Sequence, residues 1–455
     1  MRRFVTLVVA LSALPSFAPA APSPAVAASP ARAPASLGAL DVIALEICYT
    51  TIVARYYHEV DPAMLLAGAR SGVVAYLASR GVADPKIPVP PARADRYRAE
   101  SEIDRDVALA IARYGTHVRT GDLVAKTIEG ELAALRDPYS VLFRPAAFKR
   151  FVGVLDGRPA AGIGAELDVD PSTHAVRVAD VFPNAPAESA GLLPGDVITS
   201  IDGASPGTTA DAVGTALRGK PGTAVRITFT RDGSAHEPIS IVRAIVVAPD
   251  VTGRMLHGGV GYVRLRSFGA QSAQQLDAVL VKLRAAHAGA YVIDERANGG
   301  GYRDAAIAIA SHFVHGTIVT TQERSAAPVR FAAKAGVAPI GAPFALLIDG
   351  DTASAAEIVA GAVQDAHAGT LVGTRTFGKG LVQETFALPD GGAIKLTTAR
   401  YLTPAGRDID TTGITPDVVV PEPPGAQPGE PGHDPQLDRA LSLLAAPPAS
   451  SPSAG

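Results

Sequence analysis

Residues 352–383 read TASAAEIVAGAVQDAHAGTLVGTRTFGKGLVQ. Apolar residues follow Ser354 at helical spacing, TLVG (370–373) is a short β-rich run, and Lys379 stands between Gly378 and Gly380 at the start of a second β-rich run that lasts to about Tyr401. The same alternation extends upstream. GYVRLRSF (261–268) predicts a strand, 274–286 a helix, YVID (291–294) a strand, ERANGGG (295–301) a loop, 304–313 a helix and FALLID (344–349) a strand. Strands alternating with helices make a layered α/β core.

Ser354 heads its helix, where free backbone N–H groups and the helix dipole favour negative charge, so the Ala355 N–H is a candidate oxyanion donor. A second donor is expected from the loop with Gly299, Gly300 and Gly301, whose lack of side chains lets backbone approach a substrate. A serine hydroxyl needs a base. Lys379 lies 25 residues on, among Phe377, Leu381, Val382 and Phe386, with Glu384 the nearest acidic residue in sequence. An apolar pocket depresses a lysine toward neutrality, which makes it competent as that base.

Three other readings compete. Ser354-Ala355-Ala356-Glu357 is also a capping box that merely closes a helix end. Gly373 to Lys379 satisfies G-x-x-x-x-G-K, but Gly380 replaces the Ser/Thr that holds magnesium and a β-rich run follows, so the phosphate cradle lacks its helix. The ten histidines include no HExxH, and His312 and His315 adjoin no carboxylate cluster, so no metal site is expected.

The 455-residue chain is long enough for two or three domains. Its 41 basic and 44 acidic residues nearly cancel without a like-charge block, which disfavours nucleic acid as a partner. MRRFVTLVVALSALPSFAPA opens with arginines, an apolar run and small residues, the pattern of a secretory signal peptide over 1–28, with a linker over 29–40. Membrane association is then expected only if the signal stays uncleaved. A single cysteine, Cys48, allows no internal disulfide and reads as a small buried apolar side chain. Helical periodicity marks 41–157, broken at Asp61-Pro62, with a proline-rich then charged insertion near 82–105. Short β-rich runs at 175–181, 196–201, 224–230 and 237–242, with one helix over 208–217, mark a compact unit over 158–246. The core spans 247–423, and a Pro/Gly-rich tail 424–455 is helical only near 436–444.

Residues 352–383 resemble the catalytic segment of the carboxyl-terminal processing peptidases, or tail-specific proteases, of the S41 serine peptidase family. LRDPYS (135–140) is similar to the family's segment before its PDZ domain, GIGAEL (162–167) and APAESAGLLPGDVI (185–198) to that domain, and YLTPAGR (401–407) and GITPD (413–417) to the closing segments. The resemblance implies a layered α/β, crotonase-like protease core with a mostly β PDZ domain and a helical N-terminal region. It puts the nucleophile on Ser354, the general base on Lys379 and a lysine-orienting amide on Gln383. The oxyanion hole falls on the Ala355 and Gly300 amides, although Gly299 replaces the family's proline in that loop and Ala356 its second serine.

The PDZ resemblance implies strand addition of a substrate's C-terminus, with its carboxylate caught near Gly162, Ile163 and Gly164. It also implies a link from Arg218 to the active site. The expected protein is a secreted or periplasmic serine endopeptidase without metal or cofactor, acting on proteins or peptides with exposed apolar C-termini. The alternative is a non-catalytic PDZ scaffold with a decayed core. Sequence leaves open the natural substrate, the resting conformation and whether the chain forms a homo-oligomer.

Straight strand would separate the Cα atoms of Lys379 and Gln383 by about 13 Å, so they can hydrogen-bond only if the chain bends, as Gly378 and Gly380 allow, or the long side chains converge; an inactive, PDZ-gated conformation with the lysine away from Ser354 is the alternative.

Overall fold

A computed structural model describes residues 5–8, 38–157, 159–170, 173–423 and 428–445. The expected signal peptide lies outside the described residues except for Val5–Val8, as do the linker before Gly38 and the tail beyond 445.

The α/β core is built on a sheet whose strands run in the order Val251–Leu256, Val260–Leu265, Ala290–Asp294, Phe344–Ile348, Thr370–Gly373, Val418–Val419. The first pair is antiparallel and the others are parallel. Helices Ser272–Ala285, Arg303–Ala310 and Ala355–Asp365 supply the core on one face, and helix Pro435–Ala445 covers the other. Parallel strands buried on both faces read as apolar runs, which is why FALLI shows no alternation. The tail is therefore not loose throughout: Leu437 and Ala440 are fully buried.

A second sheet orders Val329–Ala332, Thr317–Glu323, Ala393–Leu402 and Leu381–Ala387, and Val141–Phe143 from the N-terminal region pairs with Ala393–Lys395. Helices Ala39–Arg55, Pro62–Ser79, Arg96–Tyr114 and Thr120–Ala134 pack into one core that also takes in Leu388, Ile394 and Leu396 of this sheet. The break at Asp61-Pro62 is a helix start, with the Asp61 carboxylate accepting the Ala63 N–H at 2.9 Å. Helix Arg96–Tyr114 begins within the stretch expected as an insertion and buries Ala99, Ile103 and Val107. Their four-residue spacing is one thin apolar stripe on an otherwise charged helix, which composition conceals.

Between these parts, Ala165–Val169, Val176–Val181, Val197–Ile201 and Ala224–Arg231 form an antiparallel meander, with Ile239–Val242 beside the last and helix Ala210–Leu217 packed on it. Ala160–Gly162 pairs with Ala244–Val246, so the unit enters and leaves through a two-stranded neck.

Helices Pro62–Ser79 and Thr120–Ala134 cross at Gly68, Gly72 and Gly130, where an added Cβ would collide with the facing backbone carbonyls. Gly72→Ala should lower stability by roughly 1–3 kcal/mol through overpacking, although alanine is the better helix former by about 1 kcal/mol; urea unfolding of the full chain, followed by far-UV circular dichroism, checks this. Glu131 is fully buried beside the Cys48 thiol, and burial pushes its carboxyl up to about 8. The folded state then holds a proton that the unfolded state loses near its ordinary 4.5, so stability falls as pH rises from there to about 8. Glu131→Gln should flatten that slope, measured as melting temperature against pH.

Candidate active site

Strand Phe344–Ile348 ends in a turn held by Asp349, whose carboxylate accepts the N–H groups of Ala297, Asp351 and Thr352 at 2.9–3.1 Å. Ser354 follows with φ 58° and ψ −115°, a conformation that costs a non-glycine residue on the order of 1–3 kcal/mol. A helix cap has no need of it, since cap residues ordinarily sit in the extended region. A sharp strand-to-helix turn instead lifts a serine out of the chain as nucleophiles require. The next N–H, of Ala355, has no partner among the described residues and opens the helix.

Glu357, one turn into that helix and fully buried, organises the surroundings. Its Oε2 accepts the N–H of Ser354 at 2.9 Å and of Lys379 at 2.8 Å, while Oε1 accepts the Thr376 hydroxyl at 2.5 Å and the Gly378 N–H at 2.8 Å. One carboxylate therefore joins the serine turn to the lysine loop, and the Tyr401 hydroxyl donates to the Ser354 carbonyl at 2.9 Å.

Lys379 extends its amine to 5.0 Å from the centre of the Tyr139 ring. Burial lowers its pKa to about 8, the Lys395 ammonium adds to this, and Glu357 and Asp137 oppose it. Lys395 itself lies 5.7 and 5.8 Å from the rings of Phe143 and Phe151, and burial lowers it too. No hydrogen bond joins Lys379 to Ser354 or to Gln383 among the described residues. The Gln383 amide donates instead to the Thr397 hydroxyl at 3.4 Å. The strand's pairing shifts register between Val382 and Gln383.

Gly300 approaches the serine turn so closely that a Cβ on it would stand 2.8 Å from the Ala353 carbonyl oxygen and the Ser354 Cβ. Its own N–H, however, donates to Asn298 Oδ1 at 2.9 Å, and its carbonyl accepts the Phe268 N–H at 3.0 Å.

In the smaller β unit, Gly162 ends the neck strand, and Ile163 and Gly164 lead into Ala165–Val169 with N–H groups that have no partner among the described residues. Val5–Val8 pairs antiparallel with that strand, Val5 opposite Val169 and Val8 opposite Glu166. Arg218 is exposed at the end of helix Ala210–Leu217, with no ion pair among the described residues. Contact with the α/β core runs through Arg266, buried between Glu166 and Asp180 of the β unit, with its Nη1 on the Thr252 hydroxyl at 3.0 Å.

Sequence reasoning saw Glu357 only as a capping partner and passed over Tyr139, Lys395 and Tyr401. A lone carboxylate in AAEIVAGAV was the available signal, because a charge on a helix otherwise buried all round must have dedicated partners.

The model of peptidase family S41 matches residues 259–420, and that of the PDZ domain matches 161–237. The chain is 38% identical over 310 residues to the carboxy-terminal-processing protease of Bartonella bacilliformis, covering 66% of this chain and 70% of that one. It is 35% identical over 303 residues to the carboxyl-terminal-processing protease of Synechocystis sp., covering 65% and 70%. With the carboxy-terminal processing protease CtpB of Bacillus subtilis the figures are 32% over 371 residues, 79% and 76%. The solved photosystem II D1 C-terminal processing protease superposes with a TM-score of 0.51 at 24% identity, over 90% of this chain and 98% of that one.

Amine-selective labelling of Lys379 across pH should show a midpoint near 8. Lys395→Met removes the neighbouring positive charge and should raise that midpoint; an unshifted curve would remove Lys395 from the account.

Proposed function

The chain belongs to the carboxyl-terminal-processing proteases of peptidase family S41, serine-type peptidases, and on that premise we propose that it works through Ser354 and Lys379. The observation that supports this most is the shared Glu357 oxygen, which ties the backbone of both residues into one site while the serine holds its strained turn.

The Ser354 hydroxyl attacks the scissile carbonyl as the neutral Lys379 amine takes its proton. The developing oxyanion is held by the free Ala355 N–H and a donor from the 299–301 loop. Lys379 then returns the proton to the leaving amine, and water attacks the acyl-enzyme with the lysine again as base. Gln383 orients the amine once it leaves the Tyr139 ring for the serine. With Gly300 bonded to Asn298, the loop's donor becomes available when substrate displaces that contact.

Substrate arrives as a polypeptide whose apolar C-terminus adds to the edge at Ala165–Val169, its carboxylate meeting the free N–H groups of Ile163 and Gly164. That Val5–Val8 pairs antiparallel along this strand supports the reading, since it shows the edge bonded to an extended segment. The arginine-led apolar leader makes the protein secreted or periplasmic. Among the described residues, no helix is long and apolar enough to cross a membrane.

Cleavage of an unfolded polypeptide ending in apolar residues should fall to background in both Ser354→Ala and Lys379→Ala. Activity surviving Lys379→Ala would remove the lysine as base. Equal, undetectable cleavage by the wild type and both variants would favour a non-catalytic PDZ scaffold.

A further inference from the structure

The strand Ala290–Asp294 ends in a buried charged cluster that lies across the sheet from the nucleophile helix. Asp294, fully buried, accepts the Tyr262 hydroxyl at 2.7 Å and is ion-paired with Arg264, whose Nη1 lies 2.8 Å away. Burial alone would raise its pKa, but Arg296 and Arg264 outweigh this and hold it well below the usual carboxylate range. Arg296 spends all five of its N–H groups. Nε and Nη2 bind Asp294 at 3.0 and 2.6 Å, Nη2 and Nη1 bind Asp434 at 2.7 and 3.0 Å, and Nη1 also binds Gln436 Oε1 at 3.0 Å.

Asp434 lies beyond the residues that the S41 model matches, in a segment of chain that returns to the sheet after a Pro/Gly-rich stretch. Its two oxygens also accept the N–H groups of Gly429, Gln436 and Leu437 at 2.8, 3.1 and 3.0 Å, and the helix that follows is anchored by buried Leu437 and Ala440.

We propose that Asp434 is a positioning residue for the oxyanion side of the active site, acting through Arg296 on the 295–301 loop and through that loop on the Ser354 turn. This rests on the serine peptidase reading above. Each step is a direct contact. Arg296 is the second residue of the loop. The Glu295 carbonyl before it accepts the Thr352 hydroxyl at 2.9 Å, and the Asn298 carbonyl after it accepts the Ala353 N–H at 2.9 Å. Ala297 is bonded to Asp349 in the same turn, and Gly300 touches Ser354 without room for a methyl group. A loop joined to 352–353 at two carbonyls cannot shift without carrying the nucleophile turn along. The two arginines and two aspartates of the cluster balance in charge, so neutralising Asp434 leaves a buried guanidinium short of one partner.

Asp434→Asn in the full chain is the test. Three readouts are needed: steady-state cleavage, affinity for a peptide boronate whose serine adduct places an oxygen in the oxyanion hole, and amide exchange over 296–301 and 352–355. A folded variant should lose at least about tenfold in kcat with KM within about twofold, because the lost contacts matter only where charge develops. Boronate affinity should fall in parallel and exchange should quicken over both segments. Folded Asp434→Asn with kcat and boronate affinity within about twofold of wild type overturns the proposal. If that variant does not fold, Gln436→Leu removes a single bond to Arg296 and should lower kcat about threefold at constant KM; unchanged kcat overturns it as well. Should the wild type cleave nothing and ignore the boronate, the peptidase reading fails by itself. Exchange then decides the inference alone, with unaltered rates over 296–301 counting against it.

Discussion

A carboxylate buried away from water has to be surrounded by donors, and Glu357 meets that demand with groups drawn from the two halves of the proposed site. Four donors converge on it, three of them backbone N–H groups of Ser354, Gly378 and Lys379. A buried ion paired in this way is costly to leave half-satisfied, and so the lysine loop has one place to sit relative to the serine turn. The same charge raises the cost of deprotonating Lys379, which burial and Lys395 lower. The site thus sets two requirements against each other. The anion that fixes the geometry favours the ammonium form, and a second lysine lined by Phe143 and Phe151 restores the balance toward the amine.

Much of this was legible before any coordinates. The apolar runs at 260–265, 290–294, 344–348 and 370–373 follow from parallel strands buried on both faces, while the run to Tyr401 is an antiparallel pair and Thr317–Glu323 and Val329–Ala332 carried no such signal. Ser354 stood out at the start of a helix, and Lys379 between two glycines at the start of a β-rich run. What stayed hidden was long-range. Nothing near Tyr139 in sequence says that its ring faces an amine 240 positions away. The exposure of Arg218 and the burial of Arg266 depend on how the β unit rests on the core, which local pattern does not encode. The helix starting at Arg96 was masked by its own charges, since most of its surface is solvated and only a thin stripe is not.

Burial is shared between separate segments of the chain. The N-terminal helices do not close a core of their own. Leu388, Ile394 and Leu396 belong to the same apolar cluster, and Val141–Phe143 is a strand of the protease's second sheet. Burial shared in this way makes the helical region and the protease one folding body, assembled from chain segments separated by the PDZ unit.

That gives the neck at Ala160–Gly162 and Ala244–Val246 a meaning of its own. A unit whose chain enters and leaves side by side is a guest in a host that is continuous without it. The peptide-binding module can therefore be exchanged, lost or retuned in the course of descent while the host keeps its closed core. Recognition and cutting are then free to change at different rates.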